Sequence, residues 1–200
     1  VTKVWETRMS FNVSDTTKGV SMNKDGTILS LGIDGGNSRG IVLILTYRLF
    51  TSADVNNYNY SSIDYSDSQS LPLIITDNFS EPVVGNYYYT QTAIVGHFDT
   101  SLQIDEFGDV LKLSQDGLTF ITGAHDSHNV SGDNDDEGAV FAYTYDGTGW
   151  VQKGFAVYGE GQDVDFGHSM DANLDCTRFI AGSEHLTNTT TLSDLTGSTD

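Results

Sequence analysis

The chain repeats part of itself, and that repetition restricts its fold more than any other feature. The stretch FGDVLKLSQDGLTFITGAHD from Phe107 aligns without a gap to FGHSMDANLDCTRFIAGSEH from Phe166, 59 residues on, with Phe, Gly, Asp, Phe, Ile and Gly in common. A third copy, VSMNKDGTILSLGIDGG from Val20, sets Asp25, Gly26 and Gly32 where the middle copy has Asp116, Gly117 and Gly123. Beyond it, GIVLILTY from Gly40 matches GAVFAYTY from Gly138. Two matches in the same order point to a duplicated structural unit. A unit this short cannot cover its own apolar face, so copies must stack and cover one another.

The residues favour strands. Acid is supplied by 22 Asp against 6 Glu, beside 22 Thr, 21 Gly, 20 Ser and 12 Asn, whereas the helix formers Ala and Lys number 8 and 5. Asp, Asn, Gly and Ser belong to turns, and Thr, Tyr and Phe to strands. No window repeats apolar residues at helical spacing for three turns, while short alternating runs bounded by Asp-Gly recur. Each unit predicts four strands: after Phe-Gly, after Asp-Gly, after Gly-x-Val, and near a Trp such as Trp150.

The succession of Phe-Gly, Asp-Gly, Gly-Ala and GAVFAYTYDGTGW resembles the FG-GAP type of β-propeller repeat, found in extracellular proteins that include adhesion receptors. The resemblance covers residues 1–48 and 107–185, and it implies an all-β, propeller-like array of four-stranded antiparallel blades. The copies depart from the pattern in places: Gly182 and Ser183 stand for Gly-Ala, Cys176 replaces the turn glycine, and the first copy lacks Phe-Gly.

The pattern breaks at residues 49–106. Tyr47 to Phe107 spans 60 residues where Tyr145 to Phe166 spans 21, so about 39 are inserted. The insert holds two strand-like runs, LPLIIT and GNYYYTQTAIVG, and predicts a surface hairpin or arm. WETRMSFNV at the start resembles a blade's last strand, with Trp5 in the place of Trp150, and the last copy supplies only two strands. The expected organisation is a half-blade 1–14, a blade 15–48 with its insertion 49–106, a blade 107–165, a half-blade 166–185 and a tail 186–200. An opening at Val1, with neither Met nor a signal pattern, reads as a processed or excised chain.

Charge excludes several partners. With 28 acidic and 9 basic residues the formal net is −19, and no Lys or Arg lies between Arg48 and Lys112, so neither nucleic acid nor an anionic membrane finds a basic patch. No run reaches the roughly 18 apolar residues of a membrane-spanning helix. Five N-x-S/T sequons, at Asn12, Asn59, Asn78, Asn129 and Asn188, predict N-glycosylation; about 2.5 are expected by chance. Asp126, Asp133, Asp135, Asp136 and Glu137 offer hard oxygen ligands suited to calcium, although their spacing matches no regular calcium loop. A solvated acidic loop is the alternative. His125 and His128 lack a third ligand at zinc spacing. Cys176 has no partner in the chain, and tyrosines 58, 60, 65 and 87–89 serve either sugar stacking or strand packing.

These features together predict a secreted, non-catalytic structural or adhesive glycoprotein without a cofactor. Its partner is itself, joined head to tail where residues 1–13 add as a strand to an open edge near Thr177–Ser183. A calcium-dependent ligand- or glycan-binding module and a fragment of a propeller hydrolase are the alternatives.

Overall fold

The computed structural model describes residues 17–33, 39–58, 74–76, 80–96, 104–128 and 136–185, with the backbone of 191–194. These residues form strands and no helix, arranged in antiparallel sheets that do not close into a barrel. Sheet 1 contains β1 (Thr17–Met22), β2 (Ile28–Ile33), β3 (Ile41–Leu49), β4 (Ile74–Ile75) and β5 (Tyr87–Val95), in the order β1-β2-β3-β5-β4. Sheet 2 runs β6 (Leu111–Leu113), β7 (Thr119–Ala124), β8 (Ala139–Tyr145), and both β9 (Trp150–Gln152) and β10 (Val157–Tyr158) pair with the far side of β8. Sheet 3 is β11 (Ser169–Ala172), β12 (Arg178–Gly182) and β13 (Thr191–Asp194).

The repeated Asp turn starts each sheet. Asn23, Ser114 and Asn173 each accept a backbone N–H from the residue five positions on, through Oδ1 or Oγ, at 2.9, 3.0 and 2.9 Å. Asp25, Asp116 and Asp175 each accept the backbone N–H two residues ahead, at 3.1, 3.0 and 3.3 Å. The next residue enters the left-handed region, with φ of 73° at Gly26, 76° at Gly117 and 53° at Cys176. This is why the copies keep Asp and a short polar residue here: side-chain oxygens close the turn that the backbone alone leaves open. Adjacent turns are also linked, Lys24 N–H to Gln115 C=O at 3.1 Å and Gln115 N–H to Leu174 C=O at 2.7 Å.

Glycines hold the sheets face to face. A Cβ on Gly32 would overlap the Gly108 carbonyl, and one on Gly40 the Phe107 carbonyl; Gly123 and Gly138 stand in the same relation to Gly167 and Phe166. The Phe-Gly pair of one copy thus seats against two glycines of the copy before it. Val42, Ile44, Phe107, Phe120 and Phe141 fill the layer between sheets 1 and 2, and Ile121, Val140, Phe166, Cys176 and Phe179 the layer between sheets 2 and 3. On the other face of sheet 1, Leu31, Ile33, Leu43, Leu45 and Ile75 are buried as well.

Two expectations change. The two strand-like runs of the insertion pair antiparallel with each other as β4 and β5, but they do not form a separate arm: β5 also pairs along β3 from Val42↔Val95 to Leu49↔Tyr87 and takes the fourth position of sheet 1. The Tyr89 hydroxyl also donates to the Gly26 carbonyl, tying the insertion to the first turn. The last copy, in turn, has three strands, because β13 from the expected tail pairs with β12 from Arg178↔Asp194 to Ala181↔Thr191. Thr177–Ser183 is therefore not an open edge. Residues 1–13, including Trp5, lie outside the described residues.

Candidate functional site

At the end of the sheets opposite the Asp turns, the chain leaves or enters each strand beside a Phe-Gly pair. Imidazoles and carboxylates gather there. Lys18 on β1 reaches Glu106 at 3.0 Å and Asp109 at 3.5 Å. Asp109 faces His125 Nδ1 at 3.3 Å, and His125 Nε2 lies 3.2 Å from Asp126. His128 stands 3.3 Å from Asp136, His168 3.6 Å from Glu184, and His185 3.2 Å from Asp165. The rings of His125 and His168 meet edge to face at 5.1 Å across sheets 2 and 3.

The repeat explains the pairing. Asp109 and His125 occupy the positions of His168 and Glu184 in the next copy, so a carboxylate–imidazole pair recurs with its members exchanged. Each copy keeps opposite charges at two fixed places rather than a fixed residue at each. The Asp109 carboxylate facing Nδ1 raises His125, and the imidazole in turn holds the Asp109 carboxyl below its usual range.

Among the described residues, the group with three metal-ligating side chains is Asp165, Glu184 and His185, whose ligand atoms lie within 4.8 Å of one another. Two carboxylates and an imidazole suit a divalent ion of intermediate softness better than calcium, which prefers oxygen alone. Sequence spacing did not reveal this group, because its members come from two loops that only the stacking of strands brings together. Of the calcium candidates, Asp126 and Asp136 each face a histidine, and Asp133 and Asp135 lie outside the described residues. All five sequon asparagines, Asn12, Asn59, Asn78, Asn129 and Asn188, also lie outside them.

Cys176 is fully buried, and burial pushes its thiol up to about 12, so it stays protonated at neutral pH. Tyr87 stacks beside Tyr47 at 5.6 Å, while Tyr58 packs on Phe50 and under the Arg48 guanidinium. Arg48 is itself fixed by Asp54, with nitrogen–oxygen distances of 3.1 and 2.7 Å. Tyr60 and Tyr65 lie outside the described residues.

A groove opens on the outer side of the molecule between β3 and β5 of sheet 1 and β8 and β9 of sheet 2. It encloses about 660 Å³ and is lined by aliphatic, aromatic, Gly and Thr residues with no charged side chain. The sheets approach closely where glycines face Phe-Gly and diverge towards β5 and β9, which leaves the wedge.

No family model, curated protein or solved structure matches the chain.

Proposed function

We propose that the chain is a non-catalytic structural or adhesive subunit of an extracellular assembly. Its sheets act as consecutive blades of a propeller-like array that joins copies of itself head to tail. One observation carries this reading: the contact between successive sheets is built to be repeated. Ile121 and Ile180 are equivalent in the repeat, yet Ile121 is 0% exposed beneath sheet 3 and Ile180 is 46% exposed on the far face of that sheet. The turn-to-turn hydrogen bonds likewise run from Lys24 to Gln115 to Leu174 and end at a residue that is 71% exposed. With β12 covered on both sides, the strand that receives residues 1–13 of another copy is β13, whose outer edge pairs with no described strand.

Sedimentation of the chain with and without residues 1–13 tests this reading. Reversible association that disappears with the deletion supports it, and association indifferent to the deletion rejects the strand exchange. Sugar on the sequon asparagines of native material, read by mass spectrometry, supports the extracellular setting, and five unmodified asparagines reject it. A cation-dependent binding module is the second reading and draws on Asp165, Glu184 and His185. A melting temperature unmoved by millimolar calcium or zinc rejects it.

A further inference from the structure

Phe155 is 96% exposed, the most exposed large apolar side chain among the described residues. Its position has a local cause. β9 and β10 both pair with β8, at Tyr143↔Gln152 and Val157↔Val140, and the chain between them leaves the sheet. Lys153 N–H still bonds Ala142 C=O at 2.8 Å, then Gly154 turns at a φ of 73° and lifts Phe155 off the edge. A Phe held out on a hydrogen-bonded turn offers its whole apolar side chain to any surface that can cover it.

The groove between sheets 1 and 2 has complementary character. Ile94, Leu118 and Tyr145 border it at 44, 45 and 41% exposure, Trp150 contributes to its wall, and no lining side chain carries charge. In a chain of net charge −19, an uncharged apolar surface is where two like-charged copies meet at the smallest electrostatic cost. The surroundings are complementary in charge as well: Lys153 precedes the Phe155 turn, and Asp116 and Asp146 stand beside the lining residues Gly117 and Thr148.

We propose that Phe155 of one copy enters the groove of a second copy, and that the contact is reciprocal. Phe155 lies five residues beyond Trp150, between two strands that pair with the same edge of β8, so knob and groove wall are carried by one edge of sheet 2. Two molecules related by a two-fold axis then fill each other's groove, and the contact closes at a dimer. Lys153 approaches the acids at the partner's rim, and salt affects the contact in two opposed ways, screening the net repulsion and weakening these ion pairs. This contact deepens the self-assembly reading but does not use the strand exchange through residues 1–13.

Sedimentation equilibrium over a concentration series, on the full chain, decides it. The expected result is a monomer–dimer equilibrium whose dissociation constant rises at least about tenfold in Phe155→Ser and in Leu118→Asp, since a central aromatic anchor carries that much of an interface. Phe155→Ser removes an exposed side chain and leaves the melting temperature unchanged, which separates lost association from lost folding. Mixing the two variants restores a dimer, because one intact knob meets one intact groove. Removing residues 1–13 separates the two assembly routes. Association that survives Phe155→Ser but not the deletion overturns the knob contact and leaves the strand exchange standing; survival of the deletion but not of Phe155→Ser gives the reverse. A monomer at every concentration overturns both. Oligomers larger than a dimer that Phe155→Ser abolishes overturn the two-fold closure.

Discussion

The two ends of the stacked sheets were built from the same repeat by different rules. At the Asp-turn end, side chains close each turn locally: Asp25, Asp116 and Asp175 all bond the backbone two residues ahead, and only backbone bonds link one turn to the next. At the opposite end, the partners are far apart along the chain, Lys18 to Glu106, His168 to Glu184, His185 to Asp165. The first end conserves residue types because local geometry demands them. The second conserves only opposition of charge, so residues exchange places. Between the two ends lie the glycines that let the sheets approach, and they set the scale of the effects below.

The largest effect is expected at the close approach. Gly32→Val puts a branched side chain into the Gly108 backbone, which cannot yield without separating sheets 1 and 2. The variant should lose more than about 3 kcal/mol, comparable with the worst core substitutions, or fail to fold. Urea unfolding followed by tryptophan fluorescence measures it. A loss under about 1 kcal/mol would show that the two sheets are not held by this contact.

Gly117→Val compares the middle turn with its neighbours. Its φ of 76° opposes a β-branched residue, and a Cβ would lie 2.5 Å from Ile28 Cδ1, a side-chain tip able to move. The expected loss is about 1–3 kcal/mol. The same substitution at Gly26, where the nearest atoms are 3.9 Å away, should cost only the backbone strain. Equal losses at both sites would remove inter-sheet packing from the account of these turns.

The turns and the strands that follow them were legible in the sequence, because each depends on residues within a few positions or on the repeat itself. β5 was legible as a strand in GNYYYTQTAIVG, but its place beside β3 was not, since the run carries no mark of the repeat. β13 was hidden for a related reason: TLSD alternates too weakly to stand out, and only β12 makes a strand of it. The rim was least legible. Asp165, Glu184 and His185 meet because β11 pairs back along β12 and sets the Phe-Gly loop beside the end of β12, and no ligand spacing along the chain encodes that.

The rim should give an alkaline-side pH dependence that the Asp turns do not, because the turn hydrogen bonds hold the carboxyls of Asp25, Asp116 and Asp175 low and confine their effect to acid. The facing Asp109 carboxylate, helped by the charges of Asp126 and Glu106, raises His125 above its ordinary 6.5 against the lowering effect of burial, so its contribution is complete below pH 6.5 and is lost as pH rises through the raised value. Asp109 is lowered from 3.8, so its contribution is present above pH 3.8 and is lost as pH falls through the lowered value. The pair is therefore fully effective between these limits. The wild type should lose stability as pH rises from 6 to 8.5, and His125→Asn should flatten that loss while leaving the acid side to Asp109 and the other carboxylates. An alkaline loss unchanged in His125→Asn would assign it to another group.

The smallest effect is expected where the copies differ most sharply in sequence and least in shape. Cys176 holds a φ of 53° in the place of Gly117, and its thiol is buried against the Lys112 carbonyl at 3.6 Å. Cys176→Gly removes two opposed contributions. Relief of a left-handed side chain gains about 1 kcal/mol, while loss of a small buried group and the added freedom of glycine in the unfolded chain cost about as much. The net change should lie within about 0.5 kcal/mol of zero, read as a shift of the urea midpoint at constant slope. A loss beyond about 2 kcal/mol would mean that packing between sheets 2 and 3, rather than the turn, selects the side chain here, and the three turns would then no longer be equivalent.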